Sequence, residues 1–533
     1  MSKLEESAAP PLIDAGSGQP VKRLRPGAIG IGAVLFMALA TAAPITAMTG
    51  NVPIAVGYGN GIHAPAGFLV ATAILFVFTI GYAAMSRHVT AAGAFYGYIS
   101  HGLGQAVGMA SGLLATVAYI VFEASLIGIF ASFFRTTVAN FGGPTINWIW
   151  LAIGGMALIA IMGYFDIQLS GKVLGIFLVT EVTILAILSF AVLFKGGGPQ
   201  GLMPGVLNPL KAFTAAPTDS KAGIVGSAGI GLFFAFWSWV GYETCAVYGE
   251  ESRDPKRTVP RAVLTLVLLI GGIYTFVSWM AVAGNGTKQV LALSRGSNPF
   301  DMFFGITQSF VGVWAKDVYE VLIITGSFAC ALAFHNTASR YIYALGREVP
   351  HKATRNLLGN THDKHKSPHV ASIVQTVITV AIVLGFYWFQ KPSSAAPDVA
   401  YDYVYGLLAI FGTMIILACQ SLCSLSVISY FHILKKHPET ASWWRTLLAP
   451  LVGAVAMGYV IYLLIKNINF AAGAASSSPL LKATPYAVIG LFVVGLIFAA
   501  YMYIRRPDEY AQMGRTVLEE TAERDEIDLA TSR

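Results

Sequence analysis

Charged residues are scarce in this sequence. Only 11% of its 533 residues are Asp, Glu, Lys or Arg, whereas 55% are hydrophobic. A soluble domain has about a quarter of its residues charged. The composition therefore excludes a soluble globular protein and predicts a membrane protein. The net charge of +7 is expected in the loops of such a protein and does not indicate binding to nucleic acid.

Motifs of enzymes and ATP-driven pumps are also missing. The sequence contains no P-loop, no HExxH and no GxSxG motif, and an ATP-driven pump would need a soluble nucleotide-binding domain. Cysteine is rare, and all four residues fall in apolar segments: Cys245, Cys330, Cys419 and Cys423. We therefore expect no disulfide, no metal site and no cofactor. The sequence predicts a protein that is not an enzyme and that acts through contacts between helices.

Twelve apolar segments are long enough to cross a membrane, which takes about 20 residues. They lie at about 28–57, 65–86, 105–134, 147–164, 168–194, 223–249, 261–284, 317–348, 368–389, 402–432, 446–466 and 483–505. This predicts an all-α bundle with helices one to six at 26–249 and helices seven to twelve at 250–505. Polar tails at 1–25 and 506–533 flank it.

The basic residues predict an orientation for this bundle. With the N-terminus in the cytoplasm, about 24 of the 34 Lys and Arg residues lie inside and about 10 lie outside. A correct topology shows this excess of basic residues on the cytoplasmic side. We therefore expect both termini in the cytoplasm and the bundle in the plasma membrane, surrounded by lipid.

Two of the twelve segments contain residues that interrupt a helix. The first has Pro44 and Gly50 within the stretch 43–51, and the sixth has Gly241 and Glu243 after a run of bulky aromatic residues. One interpretation is a simple kink at which small residues let a neighbouring helix pack closely. The other is a discontinuous helix whose backbone binds a solute, since irregular backbone inside a bilayer must be buried or line a cavity.

The spacing of the two interruptions favours a binding site. They fall in the first and sixth segments, five helices apart, which is typical of two five-helix repeats with inverted topology and a site at mid-membrane. The repeats would cover about 26–195 and 222–432, with helices eleven and twelve outside them.

Ionisable residues inside predicted membrane helices are further candidates for function, because burying them costs several kcal/mol. Four lie well inside the segments: Glu123, Glu181, Glu243 and His335. The alternative for each is a hydrogen bond that holds two helices together. Arg340 lies near the inner end of segment eight, where a long side chain can extend to the membrane surface.

Three stretches of the sequence resemble the amino acid–polyamine–organocation (APC) permeases. They are WSWVGYETCAVYGEESRDPKRTVPRA at 237–262, MSRHVTAAGAFYGYISHGLG at 85–104 and NTASRYIYALGRE at 336–348. The similarity covers about 25–505 and implies the LeuT-type fold of five plus five helices, with helices one and six discontinuous. The chain departs from the family at APITAMTG, where many members have a G-(S/T)-G break in helix one.

The resemblance implies a site for an amino acid between the two interruptions. Its carboxylate is expected on the backbone at Thr46, Ala47 and Met48, and Trp237 aligns with an aromatic residue that stacks over the cargo in some members. Alternatively, Trp237 is an ordinary packing residue. The complete predicted set is Ala42, Ala43, Thr46, Ala47, Met48, Thr49, Gly50, Tyr119, Glu123, Phe236, Trp237, Trp239 and Gly241, in which carbonyls near Ala42, Ala43, Phe236 and Trp239 face the amine.

The resemblance also implies sites for coupling to protons, or to Na⁺. Glu243 corresponds to an acid beside the substrate, and Glu181 aligns with a lysine of some proton-driven relatives. Glu123 lies one turn from Tyr119, where a carboxylate would suit a cationic side chain or take up a proton. His335 is the remaining candidate, with a satisfied buried histidine as its alternative.

These features together predict a secondary transporter of amino acids, driven by protons or by exchange, that acts as a monomer or homodimer. The runner-up cargo is an amine without a carboxylate, such as a polyamine or ethanolamine. A channel and a membrane sensor without transport activity are the alternatives of other classes.

Overall fold

The computed structural model describes residues 29–90, 93–164, 167–220, 224–362, 365, 367–393, 397–468 and 478–514. The predicted tail 1–25 and the end of the C-terminal tail lie outside the described residues. Regular structure in the described part is helical, apart from three isolated bridges between pairs of residues.

Ten helical stretches among the described residues are long and apolar enough to cross a membrane. They are Ile31–Gly59, Gly61–Met85, Gln105–Asn140, Leu174–Phe194, Pro255–Asn285, Val313–Gly346, His369–Phe389, Val399–Ile433, Trp443–Lys466 and Pro479–Arg505. An eleventh apolar helix, Trp148–Tyr164, is shorter. The prediction of an all-helical membrane protein is confirmed.

The first of these stretches is divided into two helices. Helix α1 (Ile31–Ala42) ends at Ala43, whose backbone is left-handed with φ 45° and ψ 73°, and α2 (Pro44–Ile54) follows at once. Proline suits the first position of a helix, because that residue has no hydrogen-bonding partner for an N–H group. The interruption is thus shorter than the predicted 43–51, since the residues after Ala43 are helical. A π-helical turn, Ala55–Gly59, ends the segment.

The remaining helices of the first half are α3 (Ala64–Met85), α4 (Ala94–Leu103), α5 (Gln105–Asn140), α6 (Trp148–Tyr164), α7 (Ile167–Phe194) and α8 (Ala228–Trp237). Those of the second half are α9 (Pro255–Asn285), α10 (Thr287–Ser294), α11 (Asp301–Phe310), α12 (Val313–Gly346), α13 (Lys352–Leu358) and α14 (His369–Phe389), followed by α15 (Gly406–Ile428), α16 (Ala449–Lys466), α17 (Pro479–Arg505) and α18 (Pro507–Gln512). A π-helical turn, Val399–Tyr405, leads into α15.

The sixth predicted segment is interrupted as well. Helix α8 ends at Trp237, and short 3-10 turns at Tyr242–Ala246 and Gly249–Glu251 continue the chain. Gly241 at the interruption has φ 115°, and a Cβ atom placed on it would lie 2.6 Å from Cγ2 of Thr41. The absence of a side chain at Gly241 therefore lets the interruption of the sixth segment pack directly against the end of α1.

Helices differ strongly in how deeply they are enclosed. In α5, 89% of the most apolar window is buried, whereas the corresponding value for α17 is 22%. Helix α5 therefore lies at the centre of the bundle beside α12, and α17 lies at its periphery, where apolar side chains would contact lipid.

The prediction that Arg340 reaches the membrane surface is wrong. Its guanidinium is buried and donates to Glu251 from Nε (2.7 Å, to Oε2) and from Nη2 (3.0 Å, to Oε1). A carboxylate that accepts two parallel hydrogen bonds compensates for the loss of water. The backbone N–H of Ile29, just before α1, donates to the carbonyl of Glu251, so the chain around Glu251 contacts both α12 and the start of the first segment.

Candidate functional site

A small cavity lies where the two interruptions meet. Its volume of about 20 Å³ accommodates a molecule the size of water, so binding of a larger solute requires the lining side chains to move. The described residues that line it are Thr41, Ala42, Ala43, Thr46, Ala47, Asn51, Leu126, Trp237, Ser238, Val240, Cys330, Phe334 and Tyr405.

The start of α2 forms one wall of this cavity. The first N–H groups of a helix have no partner within the helix and carry partial positive charge. Thr46, in the first turn of α2, is buried, and its hydroxyl has no hydrogen-bonding partner among the described residues. Neighbouring Ile45 lies beside the carboxyl group of Glu181 on α7. This wall can therefore bind an anionic group.

The end of α1 forms a second wall, where backbone carbonyls lose their helical partners. The Thr41 carbonyl accepts from the thiol of Cys330 (3.2 Å), and the Ala42 carbonyl accepts from the hydroxyl of Tyr274 (2.5 Å). The Ala43 carbonyl accepts from the backbone N–H of Ala47. Each of these oxygens has a second lone pair, so the wall can also accept a hydrogen bond from a cationic group.

The carbonyls expected on the sixth segment have partners in the same way. Those of Phe236 and Trp239 accept from the backbone N–H groups of Trp239 (3.0 Å) and Tyr242 (3.3 Å), respectively. The indole ring of Trp239 lies against Tyr274, with ring centroids 5.6 Å apart, and is not part of the cavity lining. Trp237 does line the cavity, and it stacks on Phe122 at 4.6 Å.

A second, larger cavity of about 780 Å³ lies further along the same helices. We call it the vestibule. Its wall includes Arg135 at the end of α5, which forms an ion pair with Asp398 at 2.7 Å. Its wall also includes Tyr401, whose ring stacks on that of Tyr405 in the lining of the small cavity. A tyrosine of the vestibule wall and a tyrosine of the small cavity's lining are therefore in direct contact.

Glu243 is buried immediately after the interruption of the sixth segment. Its Oε2 accepts from the backbone N–H of Gly241 (3.0 Å), and its Oε1 accepts from the hydroxyl of Tyr119 (3.0 Å). The carboxyl group thus caps the irregular turn and connects it to α5. Glu243 and Glu181 share one feature: the carboxyl group of each lies beside residues at one of the two interruptions.

Glu123 and His335 contact each other, away from the cavity lining. Nδ1 of His335 lies 3.1 Å from both carboxylate oxygens of Glu123, and the amide of Gln375 donates to Oε2. Nε2 of His335 lies 2.7 Å from the hydroxyl of Ser372. These four side chains, which we call the α5–α12–α14 cluster, connect the three helices that carry them.

The cavity lining overlaps with the predicted site in part. Of the predicted residues it includes Ala42, Ala43, Thr46, Ala47 and Trp237. Those outside the lining are Met48, Thr49, Gly50, Tyr119, Glu123, Phe236, Trp239 and Gly241. Lining residues that the sequence did not identify are Thr41, Asn51, Leu126, Ser238, Val240, Cys330, Phe334 and Tyr405. Asn51 offered a signal, since it is a polar residue inside an apolar segment.

Known transporters of amino acids and of putrescine are similar to this chain over most of its length. The profile of the amino acid permease family matches residues 34–502. The low-affinity putrescine importer PlaP of Escherichia coli (strain K12) is 23% identical over 431 residues, which cover 80% of this chain and 86% of PlaP. The branched-chain amino acid permease BcaP of Lactococcus lactis is 24% identical over 358 residues, covering 63% and 72% of the two chains. The serine/threonine exchanger SteT of Bacillus subtilis is 21% identical over 341 residues, covering 63% and 70%.

The family match extends over nearly all of the membrane helices and includes both interruptions. The three relatives are named as an importer, a permease and an exchanger, as the fold around the cavity leads one to expect. The chain therefore belongs to the amino acid permease family and is a secondary transporter of the APC type.

Proposed function

We propose that this transporter carries amino acids with an uncharged side chain across the plasma membrane by alternating access. The observation that supports this most is the cavity itself, where the start of α2 and the end of α1 face the same small space. An amino acid has a carboxylate and an ammonium group on one carbon atom. The first suits the N–H groups at the start of α2, and the second suits the carbonyls at the end of α1.

The lining supports an uncharged side chain. None of the described residues that line the cavity is Asp or Glu, and a second positive charge on the cargo would be left without a partner in a buried site. Leu126, Phe334 and Trp237 offer apolar and aromatic contacts instead. A polyamine remains the second candidate, because PlaP is named as a putrescine importer.

We further propose twelve membrane spans in two inverted repeats, with both termini in the cytoplasm. Ten long helices, the short helix α6 and the interrupted sixth segment together make twelve. An odd number of helices in each repeat would place the second repeat in the opposite orientation. In this arrangement the vestibule opens to the outside of the cell.

Coupling to protons is proposed to involve Glu181 and Glu243. Glu181 and the cargo carboxylate would both lie at the positive end of α2, since Ile45 lies beside Glu181 and the next residue, Thr46, lines the cavity. An ionised Glu181 repels a second negative charge, whereas a protonated Glu181 does not. Proton binding and cargo binding therefore favour each other, and this is the linkage that symport requires.

Competition for uptake tests the proposed cargo. Purified protein in proteoliposomes would take up a radiolabelled neutral amino acid in the presence of excess alanine, leucine, phenylalanine, lysine, arginine or putrescine. We expect the neutral amino acids to compete and the cations to compete weakly. Competition by the cations alone would favour the polyamine alternative.

Amidation of the cargo tests the role of the start of α2. Loss of hydrogen bonds to a charged group weakens binding by about 1.5–3 kcal/mol, which corresponds to a factor of roughly 10 to 150. We expect the amide of a transported amino acid to bind less tightly by such a factor. Equal affinity of the acid and the amide would contradict the placement of the carboxylate.

A further inference from the structure

Three segments contribute residues to the linings of both the vestibule and the small cavity. On each segment, the residues that line the two cavities are separated by only about one helical turn. On α2 the change from one lining to the other occurs between Ile54 and Asn51, and on the sixth segment it occurs between Phe234 and Trp237. On the turn that leads into α15, Tyr401 and Gly406 line the vestibule, and Tyr405 between them lines the small cavity. A thin layer of side chains therefore separates the two spaces at one level. This layer, which we call the partition, consists of Asn51, Trp237, Ser238 and Tyr405.

A directed chain of hydrogen bonds connects the four residues. The indole N–H of Trp237 donates to the hydroxyl of Tyr405 (2.9 Å), and this hydroxyl donates to Oδ1 of Asn51 (2.6 Å). Nδ2 of Asn51 donates to the hydroxyl of Ser238 (2.9 Å). The Ser238 hydroxyl then donates to the carbonyl of Phe234 (2.9 Å). The chain leaves the sixth segment, crosses the other two segments and returns to the sixth.

We propose that Asn51 and Tyr405 are positioning residues that hold Trp237 in place as the separation between the vestibule and the cavity. Each of them serves as donor and acceptor at the same time, and both are buried. Hydrogen bonds in such a chain polarise and strengthen one another. Trp237 cannot turn away from the cavity without breaking the first bond of the chain.

Removal of the Tyr405 hydroxyl interrupts the chain of hydrogen bonds most directly. The removal deprives the Trp237 indole of an acceptor and Asn51 of a donor, and buried groups without partners are costly. The ring itself keeps its neighbour, because it stacks on Tyr401 with centroids 5.7 Å apart and an angle of 12°. Tyr405→Phe should therefore open the partition more often without removing its bulk.

Cys330 is a native reporter for this opening. Its thiol lines the small cavity and is buried behind the partition. The other three cysteines, Cys245, Cys419 and Cys423, are also buried and would be replaced by serine. The full chain in lipid nanodiscs would then react with a trimethylammonium methanethiosulfonate reagent, and mass spectrometry would follow the modification. The same protein with Cys330→Ala identifies the signal.

We expect Tyr405→Phe to increase the rate of Cys330 modification by about tenfold, the factor for loss of one net hydrogen bond. Ser238→Ala removes the end of the chain, namely the acceptor for Asn51 and the donor to the Phe234 carbonyl. It keeps the bonds from Trp237 to Tyr405 and from Tyr405 to Asn51, so it should give a smaller increase. Tyr403→Phe is the matched control, since Tyr403 is buried on the same turn but lines neither cavity. It should leave the rate unchanged.

Equal rates in Tyr405→Phe, Ser238→Ala and Tyr403→Phe would overturn the proposal. A thermal unfolding midpoint is measured for each variant, because general loosening of the fold would lower the midpoint and accelerate modification in the control as well. The experiment needs no transported solute. Its failure would therefore leave the proposed cargo untouched, and an incorrect cargo would leave this result untouched.

Discussion

Two regions of the bundle bury glutamate side chains, and they do so in different ways. At the interruptions, Glu243 accepts a hydrogen bond from the backbone N–H of Gly241, and Glu181 lies beside Ile45 at the start of α2. In the α5–α12–α14 cluster, the carboxylate of Glu123 contacts only the side chains of His335 and Gln375 among its described hydrogen bonds. The first region borders the cavity, and the second connects three continuous helices.

A buried acidic residue in a membrane helix can therefore have one of two roles. A carboxyl group that caps irregular backbone changes the charge at a site where the cargo would bind, so its protonation can affect transport. A carboxyl group bonded to side chains of continuous helices holds those helices together, so its loss should affect stability first. We therefore expect matched substitutions in the two regions to give different phenotypes.

The largest effect is expected at the contact between the interruptions. Gly241→Ala would place a methyl group 2.6 Å from Cγ2 of Thr41 in a left-handed backbone conformation. Strain and overpacking together should cost about 2–5 kcal/mol, and uptake and the yield of folded protein should fall sharply. Gly272→Ala is the control, because a Cβ atom on Gly272 in α9 meets nothing within 4 Å. Similar behaviour of both variants would mean that the contact is unimportant.

Glu243→Gln should leave the fold intact and uncouple transport. Glutamine preserves the shape of the side chain beside Tyr119 but cannot release or take up a proton. In proteoliposomes, a pH gradient should no longer drive accumulation, while exchange of internal for external amino acid continues. Undiminished accumulation would remove Glu243 from proton coupling and place it with Glu123 as a structural residue.

Glu123→Gln is the matched substitution in the α5–α12–α14 cluster. It should lower the stability of the fold and leave transport coupled to protons. The new amide would face the amide donor of Gln375 and the imidazole of His335. Loss of a satisfied buried hydrogen bond should lower the free energy of unfolding by about 1–3 kcal/mol, measured as a lower thermal midpoint. Accumulation driven by the pH gradient should remain. An unchanged midpoint with altered competition by lysine or putrescine would instead make Glu123 a selector of cargo.

The smallest effect is expected from a histidine outside the membrane, which serves as a contrast to His335. Burial and the stacked imidazole of His437 lower the pKa of His88 from 6.5 to about 4, with Lys256 and Arg87 acting in the same direction and Glu439 against them. Below pH 6.5 the unfolded chain binds a proton that the folded protein binds only near pH 4. Stability should therefore fall as the pH decreases from about 6.5 to about 4.

Replacement by His88→Gln should remove this contribution, which is about 1 kcal/mol after allowance for solvent screening at a half-buried site. The thermal midpoint of the variant would then decrease less than that of the wild type between pH 6.5 and pH 4.5. An identical pH profile would assign the acid sensitivity to other groups.

Local features of the site were predictable from the sequence, and distant partners were not. Proline and glycine differ from other residues in the backbone conformations they allow, so Pro44 and Gly241 can be recognised from the sequence alone. Both interruptions lie beside them. Tyr119 and Glu123 lie one turn apart on α5, yet one contacts the sixth segment and the other contacts α12 and α14. The hydrophobic periodicity of α5 does not show which neighbouring helix each side chain faces, because α5 is apolar on all sides and nearly all of its surface is buried.

The sequence by itself determined that this protein lies in a membrane, that it is helical, and where two of its helices are interrupted. These follow from composition, length and the conformational limits of proline and glycine, which are local properties. The tertiary structure decided which polar groups meet. Tyr274 caps the carbonyl of Ala42 across 232 positions, and Tyr405 reaches Asn51 across 354. Such pairs depend on how helices pack in three dimensions, because a buried polar group is satisfied by whatever donor or acceptor the packing brings near.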